Sequence, residues 1–208
     1  MAKQGEPKCR LCRREGEKLF LKGARCSTQK CAMVKRNFPP GMHGLVRGGH
    51  SEYGVQLRAK QKAKRIYGIR ERQFYNYYHQ AEKKSGVAGD NLLTILESRL
   101  DNVIYRAGFA ESRNAARQLV SHGHLLLNGK RVDTPALQVK LNDEIVISPH
   151  SQKSVYFKQI LPALKKHQAP SWLKVSPQQL KIKIVNKLTK DQIESDVDVQ
   201  AIIEFYSK

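Results

Sequence analysis

The chain has 208 residues, enough for one or two domains with a real core. Lys and Arg total 38 against 18 Asp and Glu, a net charge of +20 that exceeds an ordinary globular surface and points to a polyanion, nucleic acid before membrane. No apolar run approaches the roughly 20 residues that cross a bilayer, and Met1-Ala2-Lys3-Gln4 opens no signal-like apolar segment, so a soluble cytosolic protein with no membrane partner is expected.

The charge is uneven. Residues 1–84 hold 21 Lys/Arg and 6 Asp/Glu, while residues 85–208 hold 17 and 12. Most phosphate neutralisation is therefore expected from the N-terminal part.

Taken in order, Cys9-Arg10-Leu11-Cys12 comes first, followed by thirteen residues, Cys26, four residues and Cys31. Two close cysteine pairs separated by a short loop can supply four thiolates in a tetrahedron, the arrangement of a structural zinc site. The charged, glycine-containing loop between them could barely fold alone, and metal binding would supply its folding energy. One structural zinc ion is expected on Cys9, Cys12, Cys26 and Cys31. An iron–sulfur cluster is the lesser metal alternative, and a reducing compartment disfavours two disulfides. Lys35 to His50 reads as an irregular linker, Pro39-Pro40-Gly41-Met42-His43-Gly44 and then Arg47-Gly48-Gly49. Its functional reading is a loop that orders on RNA, with Arg47 against phosphate.

Two helices follow. In the first, Val55, Ala59, Ala63, Ile66 and Tyr67 form a narrow apolar stripe, and Arg58, Lys60, Lys62, Lys64 and Arg65 cover the rest. Five cations with no intervening acid would repel one another, so this helix is expected to touch phosphate. Gly68 ends it. The second helix, Glu71 to Lys84, carries Arg70 and Arg72 at its start and buries Phe74, Tyr77, Tyr78 and Ala81. Ser85 to Asp90 reads as a flexible joint.

Leu96, Leu100, Val103, Ile104 and Ala107 keep one helical face apolar up to Gly108. Ser112 is a plausible N-cap for a second helix bearing Ala115, Ala116, Leu119 and Val120, which Gly123 can end. Leu125 to Leu127, Asn128-Gly129 and Lys130-Arg131-Val132 form a hairpin pattern, because a type I′ turn needs positive φ at both central residues. Asp143 to Ile147 reads as a returning strand. Beyond it lie a helix over Ser154–Lys166, alternating strands at Trp172–Val175 and Leu180–Ile184, and a terminal helix with Val199, Ile202, Ile203 and Tyr206 on one face. That face must dock, and the N-terminal helices are its expected site.

The stretch Arg99-Leu100-Asp101, Ser112-Arg113, Ala116 to Val120, Gly123-His124 and Leu127-Asn128-Gly129 resembles a small RNA-binding module found in ribosomal proteins and appended to unrelated enzymes. Outside it, Arg13-Arg14-Glu15-Gly16, Pro40 to Gly44, Tyr53 to Arg58, Arg65 to Gly68, Glu71 to Phe74, Asn76-Tyr77-Tyr78 and Glu204 to Lys208 extend the likeness. Along essentially its full length the chain resembles the S-four family of bacterial small-subunit ribosomal proteins.

The resemblance implies an α+β architecture. Residues 1–45 would form the zinc knuckle and basic linker, and 46–91 a helical basic domain completed by a C-terminal helix over 192–208. Residues 92–191 would form the RNA-binding domain, two helices on a small, mainly antiparallel sheet with its core at 99–147. It also implies a cytoplasmic, ribosome-bound structural protein that is not an enzyme and takes no small-molecule substrate. Such a protein would bind small-subunit rRNA at a multi-helix junction of the 5′ domain and nucleate assembly there. It would meet small-subunit proteins five and three where mRNA enters, and could repress its own translation. Some members lack the cysteines; this chain keeps four.

The expected RNA contacts are the linker and helix cations together with Tyr67, and in the module Arg99, Ser112, Arg113, Arg117, Gln118, His122, Lys130 and Arg131. A-form RNA is read through shape, backbone and 2′-hydroxyls, so base readout is not required. The competing class is an RNA-modifying enzyme of pseudouridine synthase type, because Arg99-Leu100-Asp101 resembles that signature. Against it, Asp101 falls inside a predicted RNA-binding helix, where holding a neighbouring Arg is the plainer role. A regulatory RNA-binder away from the ribosome is the third reading.

Overall fold

The computed structural model describes residues 7–44, 49, 51–189, 192–193 and 197–207. The chain divides into two compact units, residues 1–74 with 196–208, and residues 75–195. The division falls between Phe74 and Tyr75 rather than at residue 91, because Tyr77 is hydrogen-bonded within the second unit, to Arg99.

In the first unit, α1 (Lys8–Glu15) ends at Gly16 in the left-handed conformation, and a 3-10 turn, Gly23–Ser27, leads to the short α2 (Ala32–Lys35). Helix α3 (Glu52–Tyr67) starts at Ser51, whose side chain accepts from the Gly54 N–H, and stops at Gly68. Its enclosed face is the predicted apolar stripe only in part. Gln56, Lys60, Ala63 and Tyr67 are buried, whereas Val55 is exposed. The reason is the terminal helix α10 (Val199–Tyr206), which lies along α3 and brings partners for polar groups. Gln56 Nε2 donates to Glu52 Oε1 at 3.2 Å and Glu204 Oε2 at 3.1 Å. Lys60 Nζ sits 4.0 Å from the Phe205 ring centroid, and Tyr53 packs on Phe205. The C-terminal helix thus docks on the N-terminal unit.

Helix α4 (Glu71–Glu82) runs from the first unit into the second and buries Phe74, Tyr77, Tyr78 and Ala81, as its spacing predicts. The second half of the expected flexible joint is instead helical: α5 (Ala88–Glu97) begins within it. Nor do Leu96 to Ala107 form one helix. The chain breaks at Ser98-Arg99 and resumes as α6 (Leu100–Arg106). The break is held from outside, because Leu100 N–H donates to Leu137 O and Val139 N–H donates to Ser98 O.

Helix α7 (Arg113–Ser121) is capped by Ser112, which accepts from Ala115 N–H. The sheet contains β1 (Leu125–Leu127), β2 (Lys130–Val132), β3 (Glu144–Ile147), β4 (Leu173–Ser176) and β5 (Lys181–Ile184). Their order is β2-β1-β3-β5-β4, and every neighbour is antiparallel. Asn128 (φ 49°) and Gly129 (φ 80°) make the hairpin turn. Asn128 Oδ1 then accepts from Glu144 N–H at 2.9 Å, tying the turn to β3. Short α8 (Pro149–Gln152) and α9 (Val155–Lys166) complete the unit. One core joins Leu100, Val103 and Ile104 of α6 and Val120 of α7 to Leu125, Ile145, Ile147 and Ile182, with Phe157 and Trp172 closing it. No helix among the described residues is long and apolar enough to cross a membrane.

Glu71 ties three helices together: it accepts from Lys60 at 2.9 Å and from Tyr206 OH at 2.8 Å, and pairs with Lys64. Burial alone would raise its carboxyl, but hydrogen bonds from Lys64, Lys60 and Tyr206 bring it down to about 2. Folding therefore favours the ionised form. Its stabilisation is complete above the ordinary value of 4.5 and fades as pH falls toward about 2. In acid titrations of thermal stability, Glu71→Gln is expected to remove that part of the dependence and to lower the melting temperature at neutral pH.

Candidate nucleic-acid interface

The second unit's arginines stand on two carboxylates. Asp101 and Glu97 are 3% and 1% exposed. Asp101 accepts from Arg99 Nε at 3.0 Å and Nη2 at 2.7 Å, and from Arg117 Nε at 2.9 Å. Arg99 Nη1 also donates to Tyr77 OH at 2.7 Å. Burial would lower the Arg99 guanidinium, but the hydrogen bond and charge of Asp101 raise it, so it stays charged. Glu97 accepts from Arg106 Nε at 2.9 Å and Asn102 Nδ2 at 2.8 Å. Asn102 Oδ1 in turn receives Arg113 Nε at 2.7 Å, and the Arg113 guanidinium lies 4.5 Å from the Tyr105 ring centroid.

These contacts correct several expectations. Arg99, 3% exposed and held on three sides, cannot face RNA. Tyr67 at 2% and Lys60 at 6% are likewise enclosed in the first unit, and the Ser112 hydroxyl is engaged as a helix cap. Arg113 and Arg117 remain partly open to solvent, directed by carboxylates beneath them. Gln118, His122, Lys130 and Arg131 are exposed.

Lys130 and Arg131 follow from the hairpin turn. The Arg131 guanidinium lies over the backbone of Gly123 (φ 69°), where a Cβ would stand 2.5 Å from Arg131 Nε. His124 reports the local potential. Burial first, then His122, Arg131 and His150, push its imidazole below the ordinary value.

The α3 cations do not stand unopposed. Arg65 and Arg58 meet Glu15, Lys62 Nζ is 2.7 Å from Glu17, and Lys60 and Lys64 meet Glu71. The Glu15 side chain is 3% exposed; burial pushes its carboxyl up while Arg65 and Arg58 pull it back. The repulsion inferred from sequence is thus relieved by acids of other segments. Arg70 and Arg72 are exposed and meet no carboxylate among the described residues. Arg47 lies outside the described residues.

The four cysteines come from α1, the 3-10 turn and the start of α2, and their thiols are unpaired. Burial raises the Cys12 thiol, and Cys26, Cys9 and Cys31 each add to the rise, so the four sulfurs share one neighbourhood. The Leu19 N–H donates to Cys12, and Lys22 N–H donates to Cys26 Sγ at 3.4 Å. This donor set fits a soft divalent metal. The side chains are not closed into a cage: among the described residues, no three His, Cys, Asp or Glu groups are placed to hold a metal ion.

Sequence reasoning missed the carboxylates. Glu15, Glu17 and Glu97 carry no local signal, because their cationic partners lie 9 to 50 residues away.

Two family descriptions match the chain: the ribosomal protein S4/S9 N-terminal domain over residues 3–97 and the S4 domain over residues 98–145. Over all 208 residues, and over the full length of each relative, the chain is 51% identical to small ribosomal subunit protein uS4 of Halothermothrix orenii. The same protein of Clostridioides difficile is 51% identical and that of Thermodesulfovibrio yellowstonii 50%.

The ion pairs on α3 set an expectation for salt-dependent RNA binding. Three free phosphate contacts would steepen the slope of log affinity against log salt by roughly 2 to 3. With Glu15 and Glu17 in place, replacing Arg58, Lys62 and Arg65 together by Ala should change the slope by less than about 1. The same substitution should lower the melting temperature, because the buried Glu15 loses its partners.

Proposed function

The chain belongs to the family of small ribosomal subunit protein uS4, and we propose that it binds folded small-subunit rRNA at a multi-helix junction of the 5′ domain and nucleates assembly there. Within the family it is a structural, RNA-binding constituent of the small subunit, ribosome-bound in the cytoplasm, and not an enzyme. One observation carries the finer reading: cations of the second unit are held in fixed positions by buried Asp101 and Glu97. Fixed cations favour RNA whose phosphates already stand in one geometry, because neither side then loses much freedom on binding. Arg113, Arg117, Lys130 and Arg131 are its phosphate contacts in this reading, with Arg70 just before α4 and Arg72 within it.

Contacts with small-subunit proteins five and three where mRNA enters, and repression of the protein's own translation, belong to the same proposal through the family likeness. The pseudouridine synthase reading has no support in the site. Asp101 is 3% exposed and shared by two arginines, so it cannot reach a base as nucleophile.

We also propose one structural zinc ion on Cys9, Cys12, Cys26 and Cys31. The spacing of the thiols and the N–H groups aimed at two of them support it. Zinc would supply folding energy to the segment that carries Glu15 and Glu17.

Two measurements test these readings. The protein should stay with small subunits through a high-salt wash, and its footprint on naked small-subunit rRNA should fall on one multi-helix junction of the 5′ domain. Release by the wash, or a footprint spread evenly over duplex regions, would overturn the proposal. Elemental analysis of protein purified under reducing conditions should find one zinc per chain. Cys26→Ser should lose it and loosen residues 7–35 in hydrogen exchange, leaving the second unit protected. Absence of any metal would count against the zinc site.

A further inference from the structure

We infer that the outward face of the five-stranded sheet is a separate surface for RNA phosphates, centred on Lys174 and Lys183; this rests on the rRNA-binding reading above and extends it. The helices of the second unit share a core with Leu125, Ile145, Ile147, Leu173, Ile182 and Ile184. Strand alternation turns the intervening residues the other way. The register sets Lys174 directly opposite Lys183, with Glu144 on the far side of Lys183. A second row runs from Arg131 through Leu126 and Val146 to Lys181.

Lys174 and Lys183 are exposed. Glu144 is the one acid in the five described strands, and its carboxylate holds Lys181 at 2.7 Å. Four outward cations thus share one carboxylate.

Keeping strand edges from pairing with other chains would explain cations on β2 and β4, the two edges. It does not explain Lys183, which lies on the inner strand β5. Like charges directly opposite each other on adjacent strands are unfavourable without a counter-charge. The contrast with α3 shows what this chain does where cations are not needed outside: Glu15, Glu17 and Glu71 meet them. The sheet lacks that provision, and a phosphate backbone supplies the missing charge. β2 and β5 stand three strand spacings apart, roughly 14 Å, so the face can meet phosphates of different nucleotides. Leu126 and Val146, half-buried between the cations, suit ribose rather than a charged protein surface.

The test is filter binding of the full chain to transcribed 5′-domain small-subunit rRNA over a salt series. Lys174→Gln with Lys183→Gln should flatten the slope of log affinity against log salt by about 1.4 to 1.8, with the melting temperature unchanged. Arg at both positions should restore the slope. If wild type binds and the Gln pair leaves the slope intact, the sheet face is not an RNA surface, while the rRNA-binding reading stands. If the Gln pair binds naked rRNA normally but is lost from assembled subunits, the face meets a protein and the inference falls. If wild type itself fails to bind, both readings fall.

Discussion

Two carboxylates that water hardly reaches, those of Glu97 and Asp101, fix where the arginines of the second unit stand. Each is worth keeping only while its partners remain. A charge left alone at such a site costs about 3 to 5 kcal/mol. Asp101 sits in the first turn of α6, just past the break, and Glu97 ends α5. The backbone of residues 135–139 closes the same break from outside, through Leu100 to Leu137 and Val139 to Ser98. Backbone path, buried charge and arginine orientation are therefore one arrangement. Arg117 cannot be redirected without leaving Asp101 short of a partner, and Arg113 leans on Asn102, which leans on Glu97.

The net charge of +20 is divided, not spread. The helix with the densest run of cations, α3, has most of them matched by glutamates from α1, the loop after it, and α4. Part of the N-terminal excess thus holds the protein's own elements together. Lys130 and Arg131 on the hairpin and Lys174 and Lys183 on the sheet stand exposed. The second unit has the smaller net charge, yet its cations sit on a stiffer frame. A zinc knuckle would act on this division indirectly, since α1 and its following loop carry Glu15 and Glu17.

What was legible in the sequence was what short-range physics decides. Asn128-Gly129 announced the hairpin because few residue pairs accept two positive φ values in succession. Ser112 announced its helix, Trp172 its burial, and the Arg99-Asp101 spacing the role of Asp101 as an orienting group. What was illegible depended on partners distant in the chain. Glu15 meets Arg65 across 50 residues, so α3 read as bare cations. Lys60 read as an outward cation because the aromatic rings that enclose it arrive with α10. The glycines at 86 and 89 suggested a flexible joint, but burial of Leu92, Leu93, Ile95 and Leu96 outweighs the helix cost of Gly89, about 1 kcal/mol for a helical glycine.

The central claim is that buried carboxylates aim the second unit's cations at one RNA geometry. Asp101→Asn tests it most directly, because it keeps the shape and removes the charge. Stability and affinity should be measured together, by denaturant unfolding and by filter binding to the 5′-domain junction and to generic duplex RNA. The account predicts a loss of up to about 3 kcal/mol in stability, weaker binding to the junction, and duplex binding equal or tighter, since Arg117 gains freedom and the site loses a negative charge. Unchanged stability together with unchanged junction affinity would contradict it.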